Sequence, residues 1–427
     1  MYKYNNKILN EKVKYVNRKF PITAFIKITS KCMLKCKFCS QGNSSNKEIS
    51  LENIKTILKK LKREGVLRIF YTGGEPFLHS KFLEIVKFAN ELGFCQLVIT
   101  NGYLLNNSKS KEILRYLNGV SVSLHGSESY HNKIVNNKNS YKLAISGIEM
   151  LKKEFPQIVL DICYTATSEN SDMDNLYDVA KICKSYDLQL VVTRAYNIGN
   201  EALRNHNFDY IDELIKNIGE LLNKKYNIKI GHCLVPCSVS QKYKHLTSEC
   251  TAGIDFFAID MNGDVKICSN SNQKIGNIFN DSFKKIWSHN CYILNKRLNN
   301  LSIICKNCNA YNNCIGGCKC ETNKVIDGSV DLLYKYVIEK DWKKIKNNHF
   351  TPNIAVIKHI GLDKILLIGE KNCLINKKTF KEIKKIDFSK TLYENQKMLN
   401  IDIELLLILF YDGFIKVKCD EKIYYKW

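Results

Sequence analysis

The sequence has no long run of apolar residues. Its longest apolar stretches, such as Leu405 to Phe410, fall far short of the roughly 20 residues that a membrane-spanning helix needs. The first residues also lack the apolar core and small-residue cleavage site of a secretory signal. The sequence therefore predicts neither a membrane protein nor a secreted one, and the cytoplasm is the expected compartment.

Proline is scarce, and acidic residues are outnumbered by basic ones. The 427 residues include 5 prolines, 65 lysines and arginines, and 42 aspartates and glutamates, which gives a formal charge of +23. Such a charge can attract nucleic acid or an anionic surface. The lysines, however, are spread evenly from Lys3 to Lys426 among many Asn and Ile residues. A composition bias explains most of the excess, and we do not expect a nucleic-acid partner.

Cysteine, by contrast, is abundant. There are 18 cysteines, and in a long chain without a secretory signal they indicate metal or redox chemistry rather than a disulfide framework. Cys32, Cys36 and Cys39 form one group, and a second group lies between Cys250 and Cys320. These two groups are the candidate metal ligands.

The stretch from Ala24 to Tyr226 alternates short β-rich runs with helical runs. This alternation predicts parallel strands joined by helical crossovers. The six expected strands are 24–29, 67–72, 96–100, 120–124, 159–165 and 188–193. Six such units make an α/β fold, a partial (β/α)6 barrel, in which chemistry collects at the carboxyl ends of the strands.

The composition of the sequence changes twice after the predicted barrel. Beyond about residue 233 it is cysteine-rich, with one hairpin from Phe256 to Cys268 around Asn262-Gly263. From about Pro352 the cysteines thin out, and β-rich runs and a leucine-rich helical stretch indicate a small α+β module. The expected organisation is an N-terminal extension (1–20), a core barrel (21–230), a cysteine-rich domain (231–345) and a C-terminal module (350–427).

Residues that can bind cofactors follow the first two predicted strands. Cys32, Cys36 and Cys39 come directly after the first strand, and three thiolates in one tight loop can hold an iron–sulfur cluster with one open iron. A zinc site with a distant fourth ligand, or chance, explains the spacing equally well. The second strand ends in Thr72-Gly73-Gly74-Glu75-Pro76, where the glycines let a ligand approach the backbone and the carboxylate can accept from an ammonium.

The third and fourth predicted strands end in small polar residues. Thr100-Asn101-Gly102 follows the third, and the segment from Ser121 to Gly126 follows the fourth. Such groups suit a bound sugar or carboxylate. In this order, at successive strand ends, the four motifs resemble those of the radical S-adenosylmethionine enzymes, over about residues 20 to 230.

This resemblance implies a cofactor set and a reaction. Cys32, Cys36 and Cys39 would hold a 4Fe-4S cluster whose open iron is chelated by S-adenosylmethionine. Reductive cleavage of that molecule gives a 5′-deoxyadenosyl radical, which abstracts a hydrogen from the substrate. The residues implied in binding S-adenosylmethionine are Phe38 beside the adenine, Gly73, Gly74 and Glu75 at the methionine amino group, and Ser123 at the ribose.

One residue of the family pattern is missing. Members often carry an arginine for the methionyl carboxylate a few residues after the fourth strand, but the matching place, near Val135, is apolar here. Lys133 or Lys138 is the nearest substitute, and the alternative for each is an ordinary solvated lysine.

The cysteine-rich region resembles the SPASM domain, which carries auxiliary 4Fe-4S clusters and occurs in enzymes that act on peptides. The spacing behind this resemblance runs from Cys250 through Gly263 to Cys268, and then from Cys305 to Cys318. A zinc ribbon would explain two of the cysteine pairs but not the whole run.

The SPASM resemblance implies two sets of cluster ligands. The inner set is Cys250, Cys268 and Cys318, with Cys233 or Cys237 as the fourth ligand. The outer set is Cys305, Cys308 and Cys314, with Cys320 in place of a cysteine that is missing further downstream. If Cys320 is free, the outer cluster has an open iron or is absent.

Together the resemblances imply an oxidoreductase that modifies a small ribosomally made precursor peptide, with oxidative cross-linking as the first choice. An electron donor such as flavodoxin or ferredoxin would be its other partner. The C-terminal module loosely resembles a winged-helix-like domain that recognises a leader peptide, and a packing extension over the barrel is the alternative. Arg194 and Tyr196, after the sixth strand, are expected to orient the peptide at the barrel mouth.

Other functions stay open at this point. Related enzymes oxidise tetrapyrroles or other small molecules. Sulfatase-type protein maturation is a second alternative, although those enzymes typically carry an aspartate where Ser269 stands here. A binding protein with decayed catalysis is another, and the intact Cys32, Cys36, Cys39 and Glu75 argue against it. A nucleic-acid-modifying enzyme is the last, and salt-dependent binding to RNA would support it.

The cysteine groups generate a prediction about metal content. Anaerobically reconstituted protein should contain about eight to twelve irons, since each full cluster holds four. Replacing Cys32, Cys36 and Cys39 together by Ala should remove roughly four of them and abolish 5′-deoxyadenosine formation. Iron and sulfide analysis checks this, and stoichiometric zinc without iron-dependent absorbance would rule the cluster out.

Overall fold

A computed structural model of the protein describes most of the chain. The described residues are 21–41, 46–196, 208–231, 234–239, 243, 247, 250–301, 305, 314, 316–320, 332–352, 356–360, 364–368, 372–411 and 414–417. The predicted N-terminal extension and the candidate ligands Cys233 and Cys308 lie outside these ranges. Within them, none of the helices has the length and apolar character that spanning a bilayer requires.

A ten-stranded sheet forms the body of the described chain, with the strand order β10-β9-β8-β1-β2-β3-β4-β5-β6-β7. Strands β1 to β7 are parallel and adjacent in chain order. They are β1 (Thr23–Thr29), β2 (Arg68–Gly73), β3 (Cys95–Thr100), β4 (Gly119–Ser123), β5 (Val159–Ala166), β6 (Gln189–Arg194) and β7 (Ile228–Ile230). The six predicted strands and the partial barrel are confirmed, and β7 is an additional strand too short to produce a clear sequence pattern.

Helices connect these strands and cover one face of the sheet. They are α1 (Leu51–Arg63), α2 (Phe82–Glu91), α3 (Ser108–Leu114), α4 (Glu128–Ile134), α5 (Ser140–Glu154), α6 (Met173–Ser185) and α7 (Tyr210–Asn223). Strand alternation sets the two faces apart: Ala24 and Ile26 are fully buried in the core, whereas Lys27 lies on the partly exposed inner face. The predicted N-cap of α1 is confirmed, since the Ser50 side chain accepts from the Asn53 N–H.

The cysteine-rich region continues the barrel sheet. It contains β8 (Phe256–Ile259), β9 (Asp264–Lys266), β10 (Lys274–Asn277) and α8 (Phe283–Asn300). The predicted hairpin is confirmed as β8 and β9, which are antiparallel. Strand β8 also pairs in parallel with β1, in the register Thr23 to Phe256. The two predicted domains therefore share one sheet, and their exact boundary stays a prediction.

The C-terminal part folds as a small mixed unit. Its elements are α9 (Leu332–Ile345), β11 (Phe350–Pro352), β12 (Val356–Ile360), β13 (Lys364–Ile368), β14 (Asn372–Asn376), α10 (Lys377–Ile383), α11 (Leu392–Leu399), α12 (Ile403–Tyr411) and β15 (Ile415–Val417). Strands β12, β13 and β14 form an antiparallel sheet in chain order, and β11 pairs with β15. Buried side chains such as Leu392 and Leu406 belong to the same apolar core as the barrel.

A buried polar pair joins two barrel strands to the helical layer. The Tyr71 hydroxyl on β2 donates to Gln96 Oε1 on β3 at 2.7 Å, and both side chains are fully buried. The Gln96 amide in turn donates to the carbonyls of Val86 and Tyr116. Every polar atom of the Gln96 side chain is thus satisfied away from water.

Replacing Tyr71 by Phe should destabilise the protein by about 1 to 3 kcal/mol, because Gln96 Oε1 would be left buried without its donor. Urea unfolding of the protein measures this loss. The matched control is Tyr186→Phe, which removes a bond of 2.8 Å to the exposed Glu149 carboxylate and should change stability by less than about 0.5 kcal/mol. Equal effects of the two changes would contradict the assignment.

Candidate active site

The loop after β1 brings three thiols together at one end of the barrel. The Cys39 N–H donates to the Cys36 carbonyl at 3.2 Å, which closes a tight turn. Burial, followed by the neighbouring Cys39 and Cys32, raises the pKa of Cys36 far above its usual range. Burial also raises the pKa of Cys32. These three neighbouring thiols, in a partly buried loop, could hold an iron–sulfur cluster, which they would bind as thiolates.

Helix α4 supports this loop from behind. The N–H groups of Lys35 and Lys37 donate to the carbonyls of Val135 and Ile134 at 3.1 and 3.0 Å. Val135 is buried in a small apolar cluster that contacts the cysteine loop. Val135, which stands where the family often has an arginine, therefore holds the loop through its carbonyl and has no charge to offer a carboxylate.

The two lysines expected as substitutes lie on the surface. Lys133 Nζ is 3.8 Å from the Glu169 carboxylate, and its side chain is 66% exposed. Lys138 is exposed and lines a surface pocket with Glu128. Neither lysine is buried near the cysteine loop, so the contact to a methionyl carboxylate is not assigned to them.

The two glycines after β2 allow the β1 and β2 loops to touch. The Gly74 N–H donates to the Thr29 carbonyl at 2.8 Å, and the Glu75 N–H donates to the Lys31 carbonyl at 2.7 Å. A Cβ atom on Gly73 or Gly74 would lie 2.1 Å from one of these carbonyl oxygens. The sequence suggested glycine for ligand approach, and the structure adds that glycine is needed for the two loops to pack.

The Glu75 side chain is fully buried and accepts three hydrogen bonds. Its donors are the Thr100 hydroxyl at 2.8 Å, the Asn101 N–H at 2.8 Å and the Phe77 N–H at 3.2 Å. Burial raises the pKa of Glu75 to about 7, and the three donors act in the opposite direction. The carboxylate thus faces the end of β3, and its direct contact with a methionine ammonium stays a prediction.

Asn101 connects Glu75 to the cysteine loop. Its amide Nδ2 lies 3.3 Å from Met33 Sδ and 3.9 Å from Cys32 Sγ. Its Oδ1 accepts from the Tyr103 N–H at 2.9 Å. Sequence reasoning classed Asn101 only as a small polar residue, because its value depends on a contact between loops that are far apart in the chain.

His125, after β4, is a second residue that sequence reasoning missed. Its ring meets Phe38 edge to face, with centroids 4.6 Å apart, and stacks on His131 at 5.7 Å. The Thr165 N–H donates to His125 Nδ1 at 3.1 Å, and burial lowers the pKa of His125 well below its usual value. His125 is therefore neutral, with its hydrogen on Nε2, and it fixes the ring of Phe38.

The inner face of the barrel carries polar side chains between the strand ends. Ser123, expected at the ribose, lies there, half-buried at the end of β4. Ser121 donates to the Asp161 carboxylate at 2.5 Å, and burial raises the pKa of Asp161. On β1, burial is the main cause that lowers the pKa of Lys27. Both shifts favour the uncharged form of the side chain, so this face offers a substrate polar groups whose charge burial disfavours.

The expectation for Arg194 is wrong. Its side chain is fully buried, with the guanidinium over the rings of Phe208 at 5.2 Å and Tyr196 at 5.9 Å. The alternation of β6 turns Arg194 away from the inner face. It therefore packs within the structure and does not reach a peptide at the barrel mouth.

A second group of thiols lies in the cysteine-rich region. Burial is the main cause that raises the pKa of Cys250, and Cys318 and Cys268 add to the rise. A hydrogen bond from Cys320 lowers the pKa of Cys268 to about 7, and bonds to Cys268 and Cys318 raise that of Cys320. Cys320, expected with the outer set, therefore lies among the three cysteines of the inner set.

The other auxiliary candidates differ in their settings. Cys237, expected as an inner ligand, is buried in the apolar core. Cys305 is buried as well, and Cys314 is half-buried. Across the part of the chain that the structure describes, no three His, Cys, Asp or Glu side chains are close enough to bind one metal ion between them.

Both groups of thiols have the donor chemistry of an iron–sulfur site. Their sulfurs are buried or half-buried, and several accept backbone N–H groups, as cluster ligands commonly do. These bonds run from Leu34 to Cys32 (3.5 Å), Asn270 to Cys268 (3.5 Å), Gly317 to Cys314 (3.1 Å) and Cys320 to Cys318 (3.4 Å).

Comparison with known proteins agrees with this chemistry. Residues 26–180 match the radical SAM superfamily, and residues 250–309 match SPASM, an iron-sulfur cluster-binding domain. The chain is a radical S-adenosylmethionine enzyme with a SPASM domain. The cofactors of this radical SAM enzyme are a 4Fe-4S cluster and S-adenosylmethionine in the barrel, and iron–sulfur clusters in the SPASM domain.

Its relatives are distant and act on different substrates. The enzyme is 28% identical over 303 residues to the sporulation killing factor maturation protein SkfB of Bacillus subtilis, and the matched region covers 69% of each chain. It is 24% identical to a PqqA peptide cyclase of Bradyrhizobium diazoefficiens, over 70% of this chain and 82% of that one. An AdoMet-dependent heme synthase of Oleidesulfovibrio alaskensis is also 24% identical, over 68% of this chain and 81% of the synthase.

Solved structures share the fold. Streptococcus suis SuiB bound to the precursor peptide SuiA has a TM-score of 0.59 and 19% identity, over 75% of this chain and 77% of that chain. At this identity the likeness shows a common architecture and does not extend to the substrate.

Replacing Glu75 by Gln should weaken S-adenosylmethionine binding and leave the iron content unchanged. The amide would put an NH2 group against one of the three donors, which loosens Asn101 beside the cysteine loop. Loss of one charged hydrogen bond, roughly 1.5 to 3 kcal/mol, corresponds to about 10- to 100-fold weaker binding. Equilibrium dialysis measures it, with Glu84→Gln, at an exposed ion pair, as the control.

The same variant should change the pH dependence of stability. Because the folded pKa of Glu75 is raised from 4.5 to about 7, its contribution is present below about pH 4.5 and is lost as the pH rises through 7. Stability of the natural protein should therefore fall relative to Glu75→Gln across this range. A constant difference between the two would contradict the burial of an ionisable carboxyl here.

Proposed function

We propose that this enzyme oxidatively cross-links a small, ribosomally made precursor peptide. The observation that carries the proposal is the contact between the two loops that bear the thiol groups. Ser40, next to Cys39, donates to Asn270 Oδ1 at 2.9 Å, and Gln41 donates to the Ser269 carbonyl at 3.4 Å. The radical site and the inner auxiliary site would therefore be neighbours, so that an electron released by an oxidised peptide has an acceptor close to the place where its hydrogen is removed.

The proposed cluster ligands fall into three groups of cysteines. Cys32, Cys36 and Cys39 hold the barrel cluster, and Cys250, Cys268, Cys318 and Cys320 hold the inner auxiliary cluster. Cys305, Cys308 and Cys314 are left for the outer cluster. The proposed contacts to S-adenosylmethionine are Phe38, Gly73, Gly74, Glu75 and Ser123. When bound, these cofactors supply a 5′-deoxyadenosyl radical and a site for one electron.

The protein itself positions the peptide and keeps water out of the reacting centre. Lys27 lies on β1 and Asp161 on β5, both half-buried, and the Ser121 hydroxyl donates to the Asp161 carboxylate. Removal of one hydrogen atom from the peptide, followed by bond formation at that carbon, leaves one proton and one electron. Asp161, with its raised pKa, is placed on the wall where such a proton can be accepted.

The C-terminal unit supports a peptide substrate. The sheet β12-β13-β14 has its two outer strands unpaired on one side each within the described chain. An extended peptide can add to such an edge, where backbone hydrogen bonds provide affinity. Because buried side chains of this unit join the common apolar core, a leader bound there would be held at a fixed place relative to the barrel.

Oxidation of a tetrapyrrole or another small molecule is the second candidate. It is favoured by the relative that is a heme synthase, which is as similar to this chain as the peptide cyclase is. Sulfatase-type maturation is less well supported, since Ser269 beside Cys268 provides a hydroxyl and no carboxylate base.

The substrate test uses a short reading frame beside the gene as the source of the peptide. Anaerobic incubation of the reconstituted enzyme with S-adenosylmethionine, a reductant and this peptide should give a product lacking two hydrogen atoms per linkage. Mass spectrometry detects the loss, and fragmentation locates the bond. The enzyme with Cys32, Cys36 and Cys39 replaced by Ala is the control and should give no product.

Two further arms separate the candidate functions. Removing the leader half of the peptide should raise the concentration needed for turnover, since the strand-edge contact is lost. Turnover of a porphyrin precursor, with no mass change in any peptide encoded nearby, would reject peptide cross-linking in favour of small-molecule oxidation.

A further inference from the structure

Lys319 is a lysine that the structure buries almost completely. Its side chain is 1% exposed and is among the largest fully buried side chains of the described chain. It lies between Cys318 and Cys320 in sequence, and its Nζ donates to the Cys250 carbonyl at 2.7 Å. A charge held in such a place acts through a low-dielectric surrounding, so its effect on neighbouring groups is larger than it would be in water.

The charge of Lys319 lies beside the proposed ligands of the inner group. Its Nζ is 2.7 Å from the carbonyl oxygen of Cys250, and the residue itself joins Cys318 to Cys320 in the chain. A buried cation this close to the ligand backbone stabilises negative charge around it more than a solvated cation does, because the surrounding dielectric is low.

We propose that Lys319 raises the reduction potential of the iron–sulfur cluster held by Cys250, Cys268, Cys318 and Cys320. The inference rests on the ligand assignment made under the proposed function. Uptake of an electron adds one negative charge to a cluster that four thiolates already make anionic. A fixed cation in a low-dielectric surrounding favours the reduced form more than the oxidised form.

The bond to the Cys250 carbonyl makes this effect steady. A solvated lysine would move its charge into water, where screening removes most of its influence. Lys319 is instead held on the backbone of one proposed ligand and flanked in sequence by two others. Its role is to tune the cluster, and it makes no contact with substrate in this assignment.

The test is a potentiometric titration of full-length protein followed by electron paramagnetic resonance. The background carries Cys32→Ala, Cys36→Ala and Cys39→Ala, so that only auxiliary clusters give a signal. The inner signal is the one that Cys268→Ala removes. Lys319→Gln keeps an N–H donor without the charge, Lys319→Met removes both, and Lys319→Arg keeps the charge.

The uncharged variants should hold as much iron as the background protein. At a fixed potential they should show on the order of a tenfold lower ratio of reduced to oxidised inner cluster, which is about 59 mV for a one-electron couple. Lys319→Arg should restore most of this ratio. The matched control is Lys60→Gln, at a half-buried lysine that donates to the Ile278 carbonyl at 2.6 Å and should leave the ratio unchanged.

Three outcomes would overturn the inference. An unchanged ratio in Lys319→Gln and Lys319→Met would show that the charge has no effect on the cluster. Loss of the inner signal in both variants would assign Lys319 a structural role instead. A shift of equal size in Lys60→Gln would show that any lost lysine has this effect.

Failure of the proposed function has different signatures. These measurements contain neither peptide nor S-adenosylmethionine, so a wrong substrate leaves them unaffected. If the ligand assignment is wrong, Cys320→Ala will keep the inner signal, and that result is independent of the Lys319 variants.

Discussion

The backbone contact between the loops after β1 and β2 is the constraint on which the proposed radical site depends. Two N–H groups of the second loop, on Gly74 and Glu75, bind the carbonyls of Thr29 and Lys31, just before the cysteines. The Glu75 carboxylate then binds the end of β3, and Asn101 returns to Cys32. Three strand ends are thereby locked together through one buried residue.

Buried contacts also hold the cysteine loop at the ends of β4 and β5. His125 packs against Phe38 and is itself fixed by Thr165 and His131, so the cysteine loop is supported from β4 and β5 as well. The loop is therefore held from two sides by buried polar residues, Asn101 with Glu75 on one and His125 on the other.

Much of this architecture could be predicted because it is local. The barrel strands follow from apolar alternation, and the hairpin follows from Asn262-Gly263, where the positive φ of Gly263 suits the turn. The first cysteine motif was recognisable from its spacing together with the order of polar motifs at successive strand ends, and the second from its whole run of cysteines and glycine. The matches to the two family models then agree with the fold class and cofactors that these local patterns implied.

What sequence could not provide are contacts between distant segments. Cys320 lies with Cys268 rather than with the outer set because the chain folds back, and spacing carries no information on that return. Arg194 was expected at the barrel mouth, but its position in the strand alternation turns it away from the inner face and against Phe208. The burial of Lys319 was equally invisible, since a lysine between two cysteines reads as an ordinary polar residue.

The pairing of β8 with β1 has a consequence for how the chain is made. Strand β1 is synthesised about 230 residues before its neighbour β8, so during translation it presents an unpaired edge next to three reactive thiols. Exposed edges invite pairing with other chains, and free thiols invite oxidation. Pairing with β8 removes this edge, so the cysteine-rich region protects the strand that carries the radical-site loop as well as supplying its own thiols.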